Sequence, residues 1–257
     1  MSYTAPVDDM LVSLNHGAGL LAAVGSGHYN DYDASFSASV IAEAGKFASD
    51  VLAPLNKVGD AHGATFSDGK VTSAPGWPDA YKRWTADGWN AISAPEQWGG
   101  QGLPLALHTI CNEIWSAANM AFGLCPLLTQ GAIDALIEHG SDALKATYLA
   151  KMVSGEWPGT MQLTEPQAGS DVGALRTRAE RQADGTYRLT GTKIFITYGD
   201  HDMSDNIVHF VLARLPDAPP GTKGISLFLV PKFLVQSDGS LGARNDIHPS
   251  GIEHKLN

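Results

Sequence analysis

The sequence predicts an α+β fold: a helical N-terminal domain followed by an antiparallel β-domain. Three observations predict it. Up to Val153, apolar residues recur at steps of three and four, the period of a helix with one buried face. From Glu156 they gather instead in short runs bounded by Gly, Pro and Asp, the pattern of strands and turns. The 257 residues suffice for one large domain or two ordinary ones, and segregated helices and strands favour two. The expected division is an N-terminal extension over 1–33, a helical domain over 34–155, and a β-domain over 156–257.

In chain order, Val7 to Leu14 suits a short helix. Gly17, Gly19, Gly25 and Gly27, then Asn30 to Asp33, suit a loop. Phe36, Val40, Ile41, Ala44, Phe47, Ala48, Val51 and Leu52 define an amphipathic helix that Pro54 is expected to stop. Gly59 to Gly76 is turn-rich, with Asp68-Gly69 at a hairpin tip. Pro78 opens a helix carrying Tyr81 and Trp84, and Gly88 closes it. After the Gly99 to Gly102 loop, a helix from Pro104 carries Leu107, Ile110, Cys111, Ile114 and Trp115 on one face. A further helix runs from Leu124 to Ile137, and Ser141-Asp142 caps another reaching Val153. The expected strands are Glu156 to Leu163, Arg176 to Gln182, Thr186 to Thr190, Lys193 to Thr197, Ile207 to Leu215 and Gly224 to Val230. Asp184-Gly185 joins a hairpin, and Asp238-Gly239 marks a later turn.

At 44% hydrophobic the chain can bury a sizeable core. Its 17% of charged residues is low against roughly 25% for soluble domains, which favours extensive buried interfaces and an oligomer. A net charge of −10 argues against nucleic acid or an anionic membrane as partner, since both reward Lys and Arg surfaces. Gly17 to Val24 is too short to span a bilayer and follows Asp8 and Asp9 rather than basic residues, so the chain reads as cytoplasmic. Cys111 and Cys125 lie in apolar helical contexts and read as buried thiols.

The stretch from Met161 to Asp171 leaves a strand and turns at Pro166 and Gly169. Proline withholds a donor and glycine relaxes φ, so hydroxyls, a carboxylate and free N–H groups collect at one strand end. Such a cluster suits the polar edge of a ring or a phosphate. Gly191-Thr-Lys-Ile-Phe-Ile-Thr197 adds a second such stretch. Together, Leu163-Thr-Glu-Pro-Gln-Ala-Gly-Ser-Asp171 and this second stretch resemble the flavin-contacting segments of the acyl-CoA dehydrogenase family. The resemblance extends forward to Trp98-Gly-Gly-Gln-Gly-Leu103 and Tyr148-Leu-Ala-Lys-Met152. Ala5 to Asp9, Asn119 to Phe122, Thr129 to Ala132 and Gly221 to Phe233 are most similar to the methylmercaptopropionyl-CoA dehydrogenase branch.

That resemblance implies a helical N-terminal domain, a middle β-domain and a C-terminal bundle, with FAD between the last two. It implies desaturation of an acyl-CoA thioester, in which a glutamate removes the α-proton and the β-hydride passes to the flavin. An electron-transfer flavoprotein would then reoxidise the cofactor, in a homo-oligomeric enzyme. The chemistry needs a positioned carboxylate and donors to the enolate oxygen, each donor worth about 3 kcal/mol.

By the same resemblance, Met161, Leu163 and Thr164 lie along the flavin ring. Ser170 sits by the flavin pyrophosphate and the CoA, and Phe195, Ile196 and Thr197 pack on and bond to the isoalloxazine. Relatives often carry an aromatic at the position of Met161 and Trp at that of Phe195, so stacking on the ring is open here. Met120 to Leu128 is a candidate acyl lining and equally an ordinary helix core. No catalytic base is assigned: relatives continue past His254-Lys255-Leu256-Asn257 into the bundle that carries it, and Glu165 reads as a structural neighbour of the flavin segment. The polypeptide alone is therefore expected to bind FAD weakly or not at all and to be inactive.

His201, Asp205 and His209, four apart, would suit a metal only on a helix, and Ile207 to Leu215 reads as a strand. Two alternatives stand beside the dehydrogenase: an acyl-CoA oxidase, and a non-catalytic subunit lending half a flavin site to a partner chain.

Overall fold

The computed structural model describes residues 3–29 and 34–253. The expected loop residues Asn30 to Asp33 and the terminal His254 to Asn257 lie outside the described residues. A helical domain precedes a β-domain, in the predicted order. The helices are α1 (Val7–Val12), α2 (Leu20–Gly25), α3 (Ala34–Phe47), α4 (Ala53–His62), α5 (Trp77–Ala86), α6 (Leu105–His139) and α7 (Asp142–Val153). A small hairpin, β1 (Thr65–Ser67) and β2 (Lys70–Thr72), turns at Asp68 and Gly69, both with positive φ as the tight two-residue turn demands.

Four expectations about the helices need correction. Leu20–Gly25 is helical rather than loop, because Leu20 is buried in the helical core. Pro54 does not stop the chain. The wide turn Ala48–Leu52 bonds Ala53 N–H to the Ala48 carbonyl, five residues back, and Pro54 then falls in the first turn of α4, where its missing donor costs nothing. The turn-rich reading from Gly59 therefore overlaps the end of α4. The two helices expected between Pro104 and Gly140 run on as α6, broken only at Asn119 (φ −160°, ψ 87°). There the Asn119 side chain accepts from Phe122 N–H at 3.0 Å and donates to the Leu52 carbonyl at 3.2 Å, capping the second half and tying the kink to the wide turn. The composition of α6 would also suit a membrane span. Here it packs against α3, α4, α7 and the sheet.

One helical core centres on Trp84, Trp115 and Phe122, with Trp84 and Trp115 edge to face at 4.4 Å. A second joins the domains: Ile133, Leu136, Leu149 and Met152 pack with Val208 and Phe210 from the sheet.

The main sheet holds β3 (Gly159–Gln162), β4 (Arg178–Arg181), β5 (Tyr187–Thr190), β6 (Val208–Arg214) and β7 (Ile225–Pro231). It is mixed, not wholly antiparallel. β7 lies antiparallel along the whole of β6, while β3 and then β4 run parallel to it on the other edge. Gly159 to Gln162 face Val208 to Val211, and Arg178 faces Arg214. The chain between Gln162 and Arg178 is thus an excursion that leaves and rejoins one edge of β6. The predicted hairpin at Asp184-Gly185 joins β4 to β5. Asp238-Gly239 turns a further hairpin, β8 (Phe233–Val235) and β9 (Leu241–Arg244), which the sequence pattern did not announce. Lys193 to Thr197 is not a strand: Phe195 has φ +58°, which breaks extended backbone.

Candidate flavin-site cleft

The excursion after β3 is held from inside by Glu165. Its carboxylate accepts the N–H groups of Arg176 and Thr177, the Thr177 hydroxyl, the Gln167 amide and Lys193 Nζ. The Glu165 and Lys193 side chains are 3% and 6% exposed and 2.9 Å apart. Burial opposes the charge, but the hydrogen bonds from Thr177, Lys193 and the two amides outweigh it and lower the carboxyl to about 2. Lys193 also donates to the Leu163 carbonyl, and Ile194 N–H to that of Thr164, each at 3.0 Å. The two sequence stretches are thereby locked side by side. Gly191 is part of the lock, since a Cβ there would lie 2.3 Å from Thr177 Oγ1.

An open cleft of about 2220 Å³ runs between the domains. That exceeds the roughly 300–1,000 Å³ of a usual ligand pocket and suits a long ligand. Phe195, Ile196 and Thr197 line it, as do Trp77, Ala121 and Leu124 of the helical domain. Phe195 is 45% exposed. The other expected residues stand elsewhere. Met161 turns to the helical side of the sheet, opposite Phe210, and packs in the inter-domain core. Leu163 is exposed and Thr164 half-buried beside Ile194; Ser170 is exposed on the excursion. None of these four lines the cleft. Among the described residues the hydroxyls of Thr164 and Thr197 carry no hydrogen bond, so both can serve a ligand. Of the Met120 to Leu128 stretch, Ala121 and Leu124 reach the cleft, while Phe122 and Cys125 are core.

The sequence carried no sign of a second buried ion cluster on the cleft wall. Asp200 pairs with Lys232 at 2.5 Å and with Arg244 at 3.4 Å. Burial again opposes ionisation of Asp200, and Lys232, the His201 amide and Arg244 prevail and lower its pKa. His201 and His209 are buried and Asp205 is exposed. His209 Nδ1 meets the Thr160 hydroxyl at 2.7 Å across paired strands, and His201 Nδ1 accepts from Met203 N–H at 3.2 Å. No group of three His, Cys, Asp or Glu that could hold a metal ion is found among the described residues. Cys111 is pushed up to about 12 by burial and Cys125 further still, so both are inert thiols.

A helical domain and a mixed sheet meet at a cleft walled by an exposed aromatic and hydroxyls. The chain belongs to the acyl-CoA dehydrogenase family: residues 38–156 match "Acyl-CoA dehydrogenase, N-terminal domain" and residues 160–252 match "Acyl-CoA dehydrogenase, middle domain". It is 46% identical to 3-methylmercaptopropionyl-CoA dehydrogenase of Ruegeria pomeroyi over 256 residues, 100% of this chain and 44% of that protein. Butyryl-CoA dehydrogenase of Megasphaera elsdenii superposes with a TM-score of 0.62 at 25% identity, over 76% of this chain and 48% of that one. The structure of PigA with FAD and proline superposes with a TM-score of 0.60 at 25% identity, over 76% and 48% of the two chains. The chain thus spans about half the length of the relatives it matches.

Proposed function

We propose that this chain supplies the helical and β-domain walls of an FAD site in an enzyme that desaturates acyl-CoA thioesters. The observation that carries this reading is the lining of the inter-domain cleft by Phe195, Ile196 and Thr197, in a chain of this family. The relative named for 3-methylmercaptopropionyl-CoA matches along the whole chain, which favours a short thioether acyl group. Bound FAD would accept the hydride from the β-carbon.

The roles of this chain's own residues follow from their chemistry. Phe195 and Ile196 offer apolar surface to one face of a flat ring. The Thr164 and Thr197 hydroxyls offer donors to its polar edge. Ser170, exposed midway along the locked excursion, suits a phosphate or the CoA. Leu163, just past β3, offers apolar surface beside the ring, and Met161 in β3 supports it through packing. Ala121 and Leu124 form the acyl side. Glu165 is committed to five donors and is no base, and no other residue of this chain is assigned that role. Further parts of the proposal are a domain boundary near residue 155, homo-oligomeric assembly, electron-transfer flavoprotein as acceptor, and a cytoplasmic setting.

The test is anaerobic. The longest product containing residues 1–257 is purified and titrated with straight-chain and thioether acyl-CoAs. Bleaching of bound flavin, with recovery by an electron-transfer flavoprotein, is the expected result. Recovery by oxygen with peroxide would make it an oxidase. A product without flavin, or with flavin that no acyl-CoA bleaches, would overturn the proposal.

A further inference from the structure

Tyr198 follows directly on the cleft-lining residues, and it is the point where they are tied to the helical domain. Its hydroxyl accepts from Trp77 Nε1 at 3.0 Å and donates to the Ala121 carbonyl at 2.7 Å. Trp77 begins α5, and Ala121 lies just past the Asn119 break in α6. Both line the cleft, as do Phe195 to Thr197. Burial, then the nearby Cys125 thiol, push the Tyr198 phenol well above its ordinary pKa, against a lesser pull from Trp77, so it remains a donor. A second crossing runs beside it, from Ser73 N–H to the Asp202 carboxylate at 3.0 Å. The ring itself rests edge-on against His201 at 5.9 Å.

The backbone here is also unusual. Tyr198 has φ +52° and Phe195 φ +58°, so two non-glycine residues of one short segment are left-handed. Such conformations persist where the surroundings over-determine them. Lys193 fixes the start of the segment, the Asp200–Lys232 pair its end, and Tyr198 its distance from α5 and α6.

We infer that Tyr198 is a positioning residue: its hydroxyl sets the spacing between the Phe195–Thr197 wall and the Trp77–Ala121 wall of the cleft. This rests on the proposed function, in which the first wall holds the flavin and the second the acyl chain. A hydride donor and acceptor must be held at near-contact distance, and small misplacements cost large factors in rate. Tyr198 acts on that distance through the walls and not by touching the reacting atoms.

The variant is Tyr198→Phe in the flavin-loaded protein. It keeps the ring and its contact with His201 and removes both hydrogen bonds. The expected result is a flavin reduction rate at saturating acyl-CoA lowered about ten-fold or more, with FAD affinity held and a melting temperature lowered by the two groups left unpaired. Hydrogen exchange is expected to quicken on both walls, at residues 119–124 and at 194–199. Trp77→Phe, which withdraws the donor and also trims a buried ring packed on Gly59 and Phe122, should move the same readouts the same way, with a larger loss of stability. Reduction at the wild-type rate would overturn the inference, as would exchange that changes on one wall alone. If no acyl-CoA reduces the wild-type flavin, the proposed function fails by itself. The exchange pattern then still decides whether Tyr198 couples the walls.

Discussion

Glu165 shows how one side chain can organise a ligand-facing loop without joining in the chemistry. Its carboxylate gathers donors from the excursion and from Lys193, and both charges are buried. Removing one member of a buried pair strands the other, which typically costs about 3–5 kcal/mol. Glu165→Gln keeps the shape but offers one acceptor oxygen where two served, and it leaves the Lys193 ammonium unpaired. The expected result in urea unfolding is a loss of about 3 kcal/mol. The double variant Glu165→Gln with Lys193→Met should recover part of that loss, because an apolar pair avoids the buried charge. A single variant as stable as the parent would mean that this pair does not hold the excursion. The motif was visible in the sequence, and Glu165 read as structural there. Its partners Thr177 and Lys193 were not legible as a clasp, since hydrogen bonds between distant segments leave no periodic trace.

At the scale of elements, the sequence was most informative where burial is one-sided. The faces Leu107, Ile110, Cys111, Ile114, Trp115 and Tyr81, Trp84 are buried as their spacing predicts. It was least informative where a side chain or a wide turn overrides the local rule. Pro54 reads as a stop but sits in a first helical turn. Lys193 to Thr197 has strand composition, yet positive φ at Phe195 and the grip of Lys193 pull it out of the sheet. Parallel pairing of β3 with β6 joins segments far apart in sequence, and turn signals report only neighbours. The break in α6 belongs here too. Asn119 is 1% exposed and satisfies one donor and one acceptor across two elements. Asn119→Leu withdraws the cap from Phe122 and strands the Leu52 carbonyl. It should cost about 2–4 kcal/mol, summing a cap and a buried unpaired group. Thermal unfolding of Asn119→Leu beside Asn119→Asp, which restores an acceptor for Phe122 but removes the donor to Leu52, separates the two contributions. Equal stability of all three would mean that the break is set by packing and not by this side chain.

For the whole molecule, three buried histidines tie stability to pH. Burial lowers His108 to about 4, with the Asp134 carboxylate as a weaker opposing pull. Burial, then the Lys232 charge, lower His201 to about 4 against Asp200 and Asp202. Burial lowers His209 to about 3, where Asp200 opposes and His201, Lys232 and Arg244 add to the fall. The folded state therefore refuses protons that the unfolded chain takes up below the ordinary value of 6.5. Stability from each group is complete above that value and drains away as pH falls toward the folded one. By pH ~5 each histidine should have surrendered about 2 kcal/mol, and three together about 6 kcal/mol, a large part of the 5–15 kcal/mol of an ordinary domain. The carboxylates do not share that window. Glu165, at about 2 folded against 4.5 unfolded, loses its contribution only below the latter value. Urea unfolding followed by tryptophan emission from neutral pH down to pH ~5 should thus show a steep loss before any carboxylate titrates. The three sites lie in different places: His108 in the helical domain, His201 beside the cleft and His209 in the sheet. One cooperative transition that shifts as a whole would mean that the apolar seam of Ile133, Leu136, Val208 and Phe210 makes the two domains unfold together. A flat profile would mean that water reaches these rings in the folded protein.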